Sequence, residues 1–436
     1  MQVDKTTLQD LSIFHHDEEQ SVFHHLNFTH TNEGRHQLHQ ILSSPLDSVA
    51  AIQDTQHTIR HLQEVSARWP GQISNGTLMV LEKFFDTPMD TYPQPADTIS
   101  SMMYTFLSKS DYSLTKYSVE HFSDFFKGLQ FIADLLQTAK SRQLQTWSSK
   151  INLLLSKPTI RIIEKWEKER KLKPSEVLWA GAFILNHFKH ETYELMAVYS
   201  KLDAYLSLAL AGKKYGFCFP EISSAETFIE AKGLYHLQLQ VPVAYDVHLN
   251  KATNFLFLTG ANMGGKSTFI KAVGVCVYLG HIGMGVPAAS MRMSYFDGLL
   301  SNINVVDNII KGESFFFNEV QRIKNTIEKI NDGKNWMVLI DELFKGTNMK
   351  DAMKCSTVVI EGLLKIPHAL FVLSTHLYEI GEGLQKYQNI LFQYFETSVT
   401  DDKLIFSYHL KEGISQDRLG YLILKREGVV EMLEKL

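Results

Sequence analysis

Gly260, Gly264, Gly265, Lys266 and Ser267, within TGANMGGKST, keep the spacing G-x-x-x-x-G-K-[ST]. Glycines so placed let successive backbone N–H groups turn inward around a phosphate, while the lysine reaches the terminal phosphates and the hydroxyl holds Mg²⁺. The run Gly260, Ala261, Asn262, Met263, Gly264, Gly265, Lys266, Ser267 and Thr268 is thus a candidate site for a nucleoside triphosphate with Mg²⁺. Further on, WMVLIDELFKGTN closes an apolar run in Asp341 and Glu342. An aspartate there can hold Mg²⁺, often through water, and the adjacent glutamate can polarise an attacking water as general base. ALFVLSTH closes a second apolar run in His376, which can sense the terminal phosphate through a hydrogen bond. Solvated strand ends often carry acidic pairs, so it is the order of the three motifs that carries the reading: hydrolysis of a nucleotide.

Such a site needs strands that stop together and a helix that starts at the lysine. NFLFLT, before the glycine loop, reads as a buried strand, and STFIKAVGVCVYLG, from Ser267, reads as the helix. Trp336 to Ile340 and ALFVL supply further strands. Residues 1 to 250 hold 8 glycines and the remaining 186 hold 17, as a fold with many strand-to-helix turns requires. The front half reads as helical: VEHFSDFFKGLQFIADLLQTAK and ETYELMAVYSKLDAYLSLALAG repeat apolar residues at three- and four-residue steps. Five of the 11 prolines, Pro45 to Pro95, fall in or around a less regular stretch between helices. The expectation is a helical domain over 1–218 and an α/β domain over 219–436.

At 436 residues, 44% hydrophobic and 21% charged, the chain can build two or three full cores. No apolar run approaches the roughly 20 residues that span a bilayer, and MQVDKTTLQDLSIF lacks signal-peptide character. These features point to a cytoplasmic protein without a membrane partner. Cys218, Cys276 and Cys355 are too few and too scattered for a disulfide framework or a four-cysteine zinc site. Nine of the 18 histidines fall in the first 61 residues, but without a ligand-spacing motif they read as ordinary polar side chains. A net charge of −5 argues against a basic nucleic-acid module by bulk.

With these motifs in order, the chain resembles the MutS family of DNA-repair ATPases. The likeness rests on TGANMGGKST, IGMGVPAASMRMSYFDGL, DNIIKGESFFFNEV, DELFKGTN and STHLYEI, and extends to TLQDLSIFHH, YELMAVYSKLDAYLSLA and FSYHLKEGISQDRLGYLILKREGV. It implies an α/β ABC-type P-loop ATPase domain preceded by an all-α core and lever domain. It also implies ATP and Mg²⁺ as cofactors. In that pattern Lys266 binds the β- and γ-phosphates, Ser267 and Asp341 hold Mg²⁺, Glu342 activates water, and His376 contacts the γ-phosphate or the water. Ser314 acts on the nucleotide of a partner subunit, which implies a homodimer with composite ATPase sites, and Tyr245 occupies the place of the adenine-stacking aromatic.

The chain also departs from the family. It resembles it only from the core domain onward, so the expected protein is not itself a mismatch reader. Only about 55 residues separate QFIADLLQ from ETYELMAV, too few for two lever tips and a full clamp at about 1.5 Å per helical residue. The clamp is therefore expected to be reduced or absent. Phe315, Asn308 and Lys345 stand where the family has threonine, aspartate and arginine. A transporter ATPase would carry an LSGGQ-like signature, and only KGES stands in that place. The segment KPTIRIIEKWEKERKLK offers Lys157, Arg161, Lys165 and Arg170 to DNA phosphates, against the plainer reading of a solvated helix face. The expected function is ATP-dependent binding of branched or otherwise structured DNA in repair or recombination. The alternative is an ATP-gated dimeric scaffold that clamps a protein partner and never touches DNA.

Overall fold

The structure is a computed structural model. It describes all residues except 94–96, 167–170, 225, 262, 305–314, 401–402, 416–427 and 435–436. Two compact units are present: Met1–His25, Ser44–Gln53 and Tyr215–Leu436 form one, and Leu26–Ser43 with Asp54–Lys214 the other. Among the described residues no helix is long and apolar enough to cross a membrane.

The first unit is α/β. Its strands are β1 (Gln2–Val3), β2 (Glu221–Ser223), β3 (Phe228–Leu234), β4 (Tyr245–Asn250), β5 (Phe255–Thr259), β6 (Ser290–Ser294), β7 (Gly298–Asn302), β8 (Trp336–Asp341), β9 (Ala369–Ser374), β10 (Ile390–Thr400) and β11 (Lys403–Glu412). Seven form one sheet in the order β1-β7-β8-β9-β5-β10-β11, parallel except for β11. Every residue of β5, β7, β8 and β9 is buried, as parallel strands covered on both faces must be. Full burial of each large side chain here is worth about 1.5–3 kcal/mol relative to exposure. The strands that end at the candidate site are thus anchored along their whole length. The smaller sheet, β2-β6-β3-β4, is mostly antiparallel.

The first residues of the chain belong to this α/β unit, and polar bonds explain why. Thr7 Oγ1 accepts from Ser301 N (3.0 Å), and the buried Asp10 carboxylate accepts from Ser301 Oγ (2.6 Å), Ile303 N (3.0 Å) and Asn304 N (3.0 Å). Arg322 closes the arrangement 3.2 Å from Asp10. A carboxylate so paired can be buried without the cost of an unmatched charge.

The second unit is built from helices. Lys109–Leu135 and Lys189–Tyr215 are its two 27-residue helices, on the segments whose apolar periodicity predicts them. Arg142–Leu155, Pro158–Glu164 and Pro174–His187 lie between them in sequence. Phe122 meets Phe84 (5.5 Å) and Phe126 (5.9 Å), and Phe126 meets Phe188 (5.7 Å) in tilted or edge-on ring pairs. The buried Asp203 carboxylate accepts from His30 N and Thr31 N at the start of helix Asn32–Ser43. It there supplies the negative charge that a helix N-terminus favours. The proline-marked stretch is more regular than its composition indicates. Helices Val49–Val65 and Asn75–Asp86 lie within it, and Pro45, Pro70, Pro88 and Pro93 fall outside them, where no helical N–H is needed.

Gly298 on β7 pairs with Trp336 on β8, and a Cβ added at Gly298 would come 1.9 Å from the indole. The ring is fully packed and its Nε1 donates to Asp332 Oδ1 (2.9 Å), so it has no room to yield. Gly298→Ala is expected to destabilise the fold by about 1–3 kcal/mol. Urea unfolding curves would measure this, and a midpoint equal to wild type would contradict the packing.

Candidate active site

Register brings the motif ends together. Ser374 pairs with Leu258 on one side and with Asp341 on the other, so β5, β9 and β8 stop at one level. Ser374 Oγ donates to Asp341 Oδ1, and Ser267 Oγ donates to Asp341 Oδ2 at 2.5 Å. Residues far apart in sequence thus converge on one buried carboxylate. A hydroxyl and a carboxylate, completed by phosphate and water oxygens, is a donor set suited to Mg²⁺. Among the described residues no group of three or more His, Cys, Asp or Glu forms a protein-only metal cage.

The loop between β5 and helix Lys266–Ile282 depends on glycine at two left-handed positions, Gly260 (φ 137°) and Gly265 (φ 101°). A Cβ at Gly260 would press on the Phe395 backbone at 3.2 Å. Met263 also has positive φ and is exposed. Lys266 is 5% exposed, and its Nζ donates to the carbonyls of Gly260 (2.8 Å) and Ala261 (2.9 Å). Burial draws its pKa down to about 8 against the opposing pull of Glu342 and Asp341. A buried ammonium held mainly by neutral carbonyls suits an incoming anion, so the residues present fit a phosphate.

Glu342 begins the turn after β8 with φ 63°, an uncommon conformation for a side-chain-bearing residue. Its N–H donates to Ser374 O (2.9 Å). Its carboxylate lies 2.8 Å from His376 Nε2 and 3.3 Å from Lys345 Nζ. Burial alone would raise its pKa, but His376 and Lys345 together hold it at about 2. His376 Nε2 also lies 3.3 Å from Lys266 Nζ, which links the second strand-end motif to the loop.

Lys266, Ser267, Glu342 and His376, with Met263, Gly264, Gly265 and Thr268 of the loop, line a cleft of about 420 Å³ that has Leu239, Val241, Val243, Tyr245 and Tyr408 as its other walls. Tyr245 is 6% exposed and packed edge-on to Phe269 (5.3 Å) and Phe395 (5.7 Å). Tyr408 is the more open ring, at 39% exposure, and would touch a Cβ at Gly265 at 3.3 Å. Sequence reading missed it. It sits where residues 407–409 of β11 stand against Glu396 of β10, with φ 54°, and such a bulge re-aims a side chain. The alternation in IFSYHL signals a strand but not the bulge.

The remaining candidates are dispersed. Asn262, Ser314 and Arg170 lie outside the described residues. Lys157 is tied to Glu191 (2.5 Å) and lies 5.0 Å from the Phe188 ring centroid. Arg161 and Lys165 are exposed.

The state of Lys266 generates a pH test. Below about pH 8 the free site carries an ammonium, and above it a neutral amine. An anion favours the ammonium, so binding is full below that pH and weakens as pH rises through it. ADP, whose phosphates have a second pKa of about 6, remains fully ionised over this range. Calorimetry is expected to show ADP affinity falling above about pH 8 in the wild type. Lys266→Met is expected to bind weakly with no such fall, and a matching fall in that variant would reject the assignment.

Comparison with known proteins agrees with this geometry. Residues 256–433 match the family described as MutS domain V. The chain is 30% identical over 280 residues to DNA mismatch repair protein MSH3 of Vanderwaltozyma polyspora, covering 60% of this chain and 27% of that protein. It is 26% identical over 294 residues to DNA mismatch repair protein MutS of Petrotoga mobilis, covering 65% and 34%. With MutS protein homolog 4 of Mus musculus it shares 30% identity over 239 residues, covering 52% and 24%. The matched segments thus span between 24% and 34% of these relatives' lengths. The domain match, the relatives and the motifs converging at the ends of β5, β8 and β9 agree: residues 256–433 are a MutS domain V, and the chain is similar to MutS-family proteins over 52% to 65% of its length.

Proposed function

We propose that the chain hydrolyses ATP and uses its nucleotide state to govern binding to structured DNA in repair or recombination. The observation that carries the ATPase reading is the convergence of Lys266, Ser267, Glu342 and His376 on one cleft, with Asp341 directly behind it as the acceptor of the Ser267 hydroxyl. When bound, ATP with Mg²⁺ supplies an activated terminal phosphate. Lys266 would balance phosphate charge, and Ser267 and Asp341 would hold the metal. Backbone N–H groups of the glycine-rich loop would wrap the phosphates, and Tyr245 and Tyr408 would offer aromatic walls to the base. Glu342, drawn to about 2 by its partners, is a weak base alone. The Glu342–His376 pair is therefore the unit that orients water and takes up its proton. Ser314 is assigned to the nucleotide of a second copy in a two-fold dimer.

Lys266→Ala removes contacts made before and during reaction, so nucleotide affinity and turnover should both fall. Glu342→Gln should spare binding and lower turnover by about 100-fold or more. Mixing Lys266→Ala with Ser314→Ala chains should regenerate one intact composite site per heterodimer. Wild-type turnover in Glu342→Gln would remove it from the chemistry, and full activity in a strictly monomeric sample would remove the composite site.

For DNA, support comes from relatives named as DNA mismatch repair proteins and from the exposed Arg161 and Lys165. With Lys157 engaged by Glu191, the proposed contact is carried by Arg161, Lys165 and Arg170. Such cations grip phosphates and do not read bases, so binding should favour branched or bent DNA over linear duplex and weaken with salt. The double variant Lys165→Glu, Arg170→Glu should bind four-way DNA less well in gel-shift titrations and keep its ATPase activity. Absence of DNA binding by the wild type at low salt would favour the protein-scaffold reading, and tight selection of a single mismatch would overturn the shape reading.

A further inference from the structure

The turn that carries Glu342 is strained and needs support. Glu342 and Phe344 both have positive φ, at 63° and 59°. Each such residue costs on the order of 1–3 kcal/mol and persists only where its surroundings over-determine it. At one end, Glu342 N is fixed by Ser374 O, and at the other, Asn348 Oδ1 caps helix Met349–Leu363 through Asp351 N (3.1 Å). Between these anchors, two consecutive N–H groups, Lys345 N and Gly346 N, point away from the sheet ladder. Both find the same partner. Glu319 Oε1 accepts from Lys345 N (3.1 Å) and Oε2 from Gly346 N (3.2 Å).

Glu319 lies on helix Phe315–Ile330 and is 5% exposed. A second contact joins that helix to the same turn: the Phe316 and Phe344 rings lie 5.7 Å apart. Ile323 and Ile330 of the helix share a buried cluster with Leu343 and Phe344. Lys345 links two carboxylates, donating its backbone N–H to Glu319 while its ammonium lies 3.3 Å from Glu342.

We propose that Glu319 is a positioning residue for the hydrolytic step, its buried carboxylate holding Lys345 N and Gly346 N so that Glu342 stays aimed at the cleft. This deepens the ATPase reading and rests on it for its kinetic consequence. A carboxylate that accepts two neighbouring N–H groups fixes both position and orientation of the turn. A misplacement of about 1 Å in a reacting group can cost about 100-fold in rate. Helix Phe315–Ile330 follows directly in sequence on the segment that holds Ser314. A shift of that helix would reach Glu342 through Glu319, which makes turnover responsive to events at the proposed dimer contact.

The test uses the full chain with Glu319→Ala and the near-isosteric Glu319→Gln, which keeps one acceptor oxygen. ATPase kinetics, nucleotide affinity and hydrogen exchange at residues 343–348 are measured together, with thermal melting to establish folding. The expected result is a fall in kcat of about 10- to 100-fold in Glu319→Ala with nucleotide Kd changed less than about threefold. Glu319→Gln should recover part of the rate, and exchange at Lys345 and Gly346 should accelerate in the order wild type, Gln, Ala. A purely stabilising role would lower the melting temperature without this split. Wild-type kcat and wild-type exchange in either folded variant would overturn the proposal. Should the wild type show no ATPase activity, the proposed function fails. Exchange at Lys345 and Gly346 then decides by itself, acceleration supporting the held turn and no acceleration rejecting it.

Discussion

Lys266 is an ammonium carried into the interior, 5% exposed, and its nearest hydrogen-bond partners are main-chain carbonyls. Carbonyl dipoles offset only part of the desolvation of a charge, which is why burial draws its pKa down to about 8. The surroundings are arranged around this unfinished balance. Gly260 and Gly265 adopt left-handed backbone so that the loop can fold over the amine. Helix Lys266–Ile282 starts at that residue, and β5, buried at every position, holds the loop at the sheet end.

A second constraint lies across the strand ends. Asp341 receives hydroxyl donors from Ser374 and Ser267, so the loop and the ends of β8 and β9 are tied through one carboxylate. Glu342 follows with its backbone in an uncommon region and its side chain between His376 and Lys345. Two neighbouring acidic residues thereby acquire different surroundings. Asp341 faces two hydroxyls, and Glu342 is held ionised between an imidazole and an ammonium. Environment, not residue type, separates the two carboxylates.

Conformational cost concentrates in the same place. Of the five described positive-φ residues with side chains, all but Ser12, namely Met263, Glu342, Phe344 and Tyr408, lie in the loop, in the turn after β8 or at the β11 bulge. Each is offset by fixed surroundings: the strand register below, the packed aromatic rings of Phe269 and Phe395, and the Glu319 carboxylate across the turn. Rigid strands and a strained rim suit a site that must hold several groups at once while leaving a cleft open.

Local patterns alone determined a good part of this protein. The spacing of Gly260, Gly264, Gly265, Lys266 and Ser267 marks a tight loop between strand and helix, because two of its positions, Gly260 and Gly265, take left-handed backbone that glycine adopts freely, and the adjacent lysine folds back into it. Apolar runs ending in Asp341 and His376 specify buried strands, and three- and four-residue periodicity specifies helices Lys109–Leu135 and Lys189–Tyr215. These signals are legible because each depends on residues a few positions apart. Pro45, Pro70, Pro88 and Pro93 fall between helices, but composition alone did not show that helices Val49–Val65 and Asn75–Asp86 lie among them. Tertiary structure decided what depends on distant pairing. It placed residues 1–25 with the α/β unit through Thr7 and Asp10, tied Lys157 to Glu191, aimed Tyr408 into the cleft and set Glu319 beneath the Glu342 turn. None of these has a local signature, because a buried carboxylate or a bulge acquires its partner only when strands and helices remote in sequence have packed.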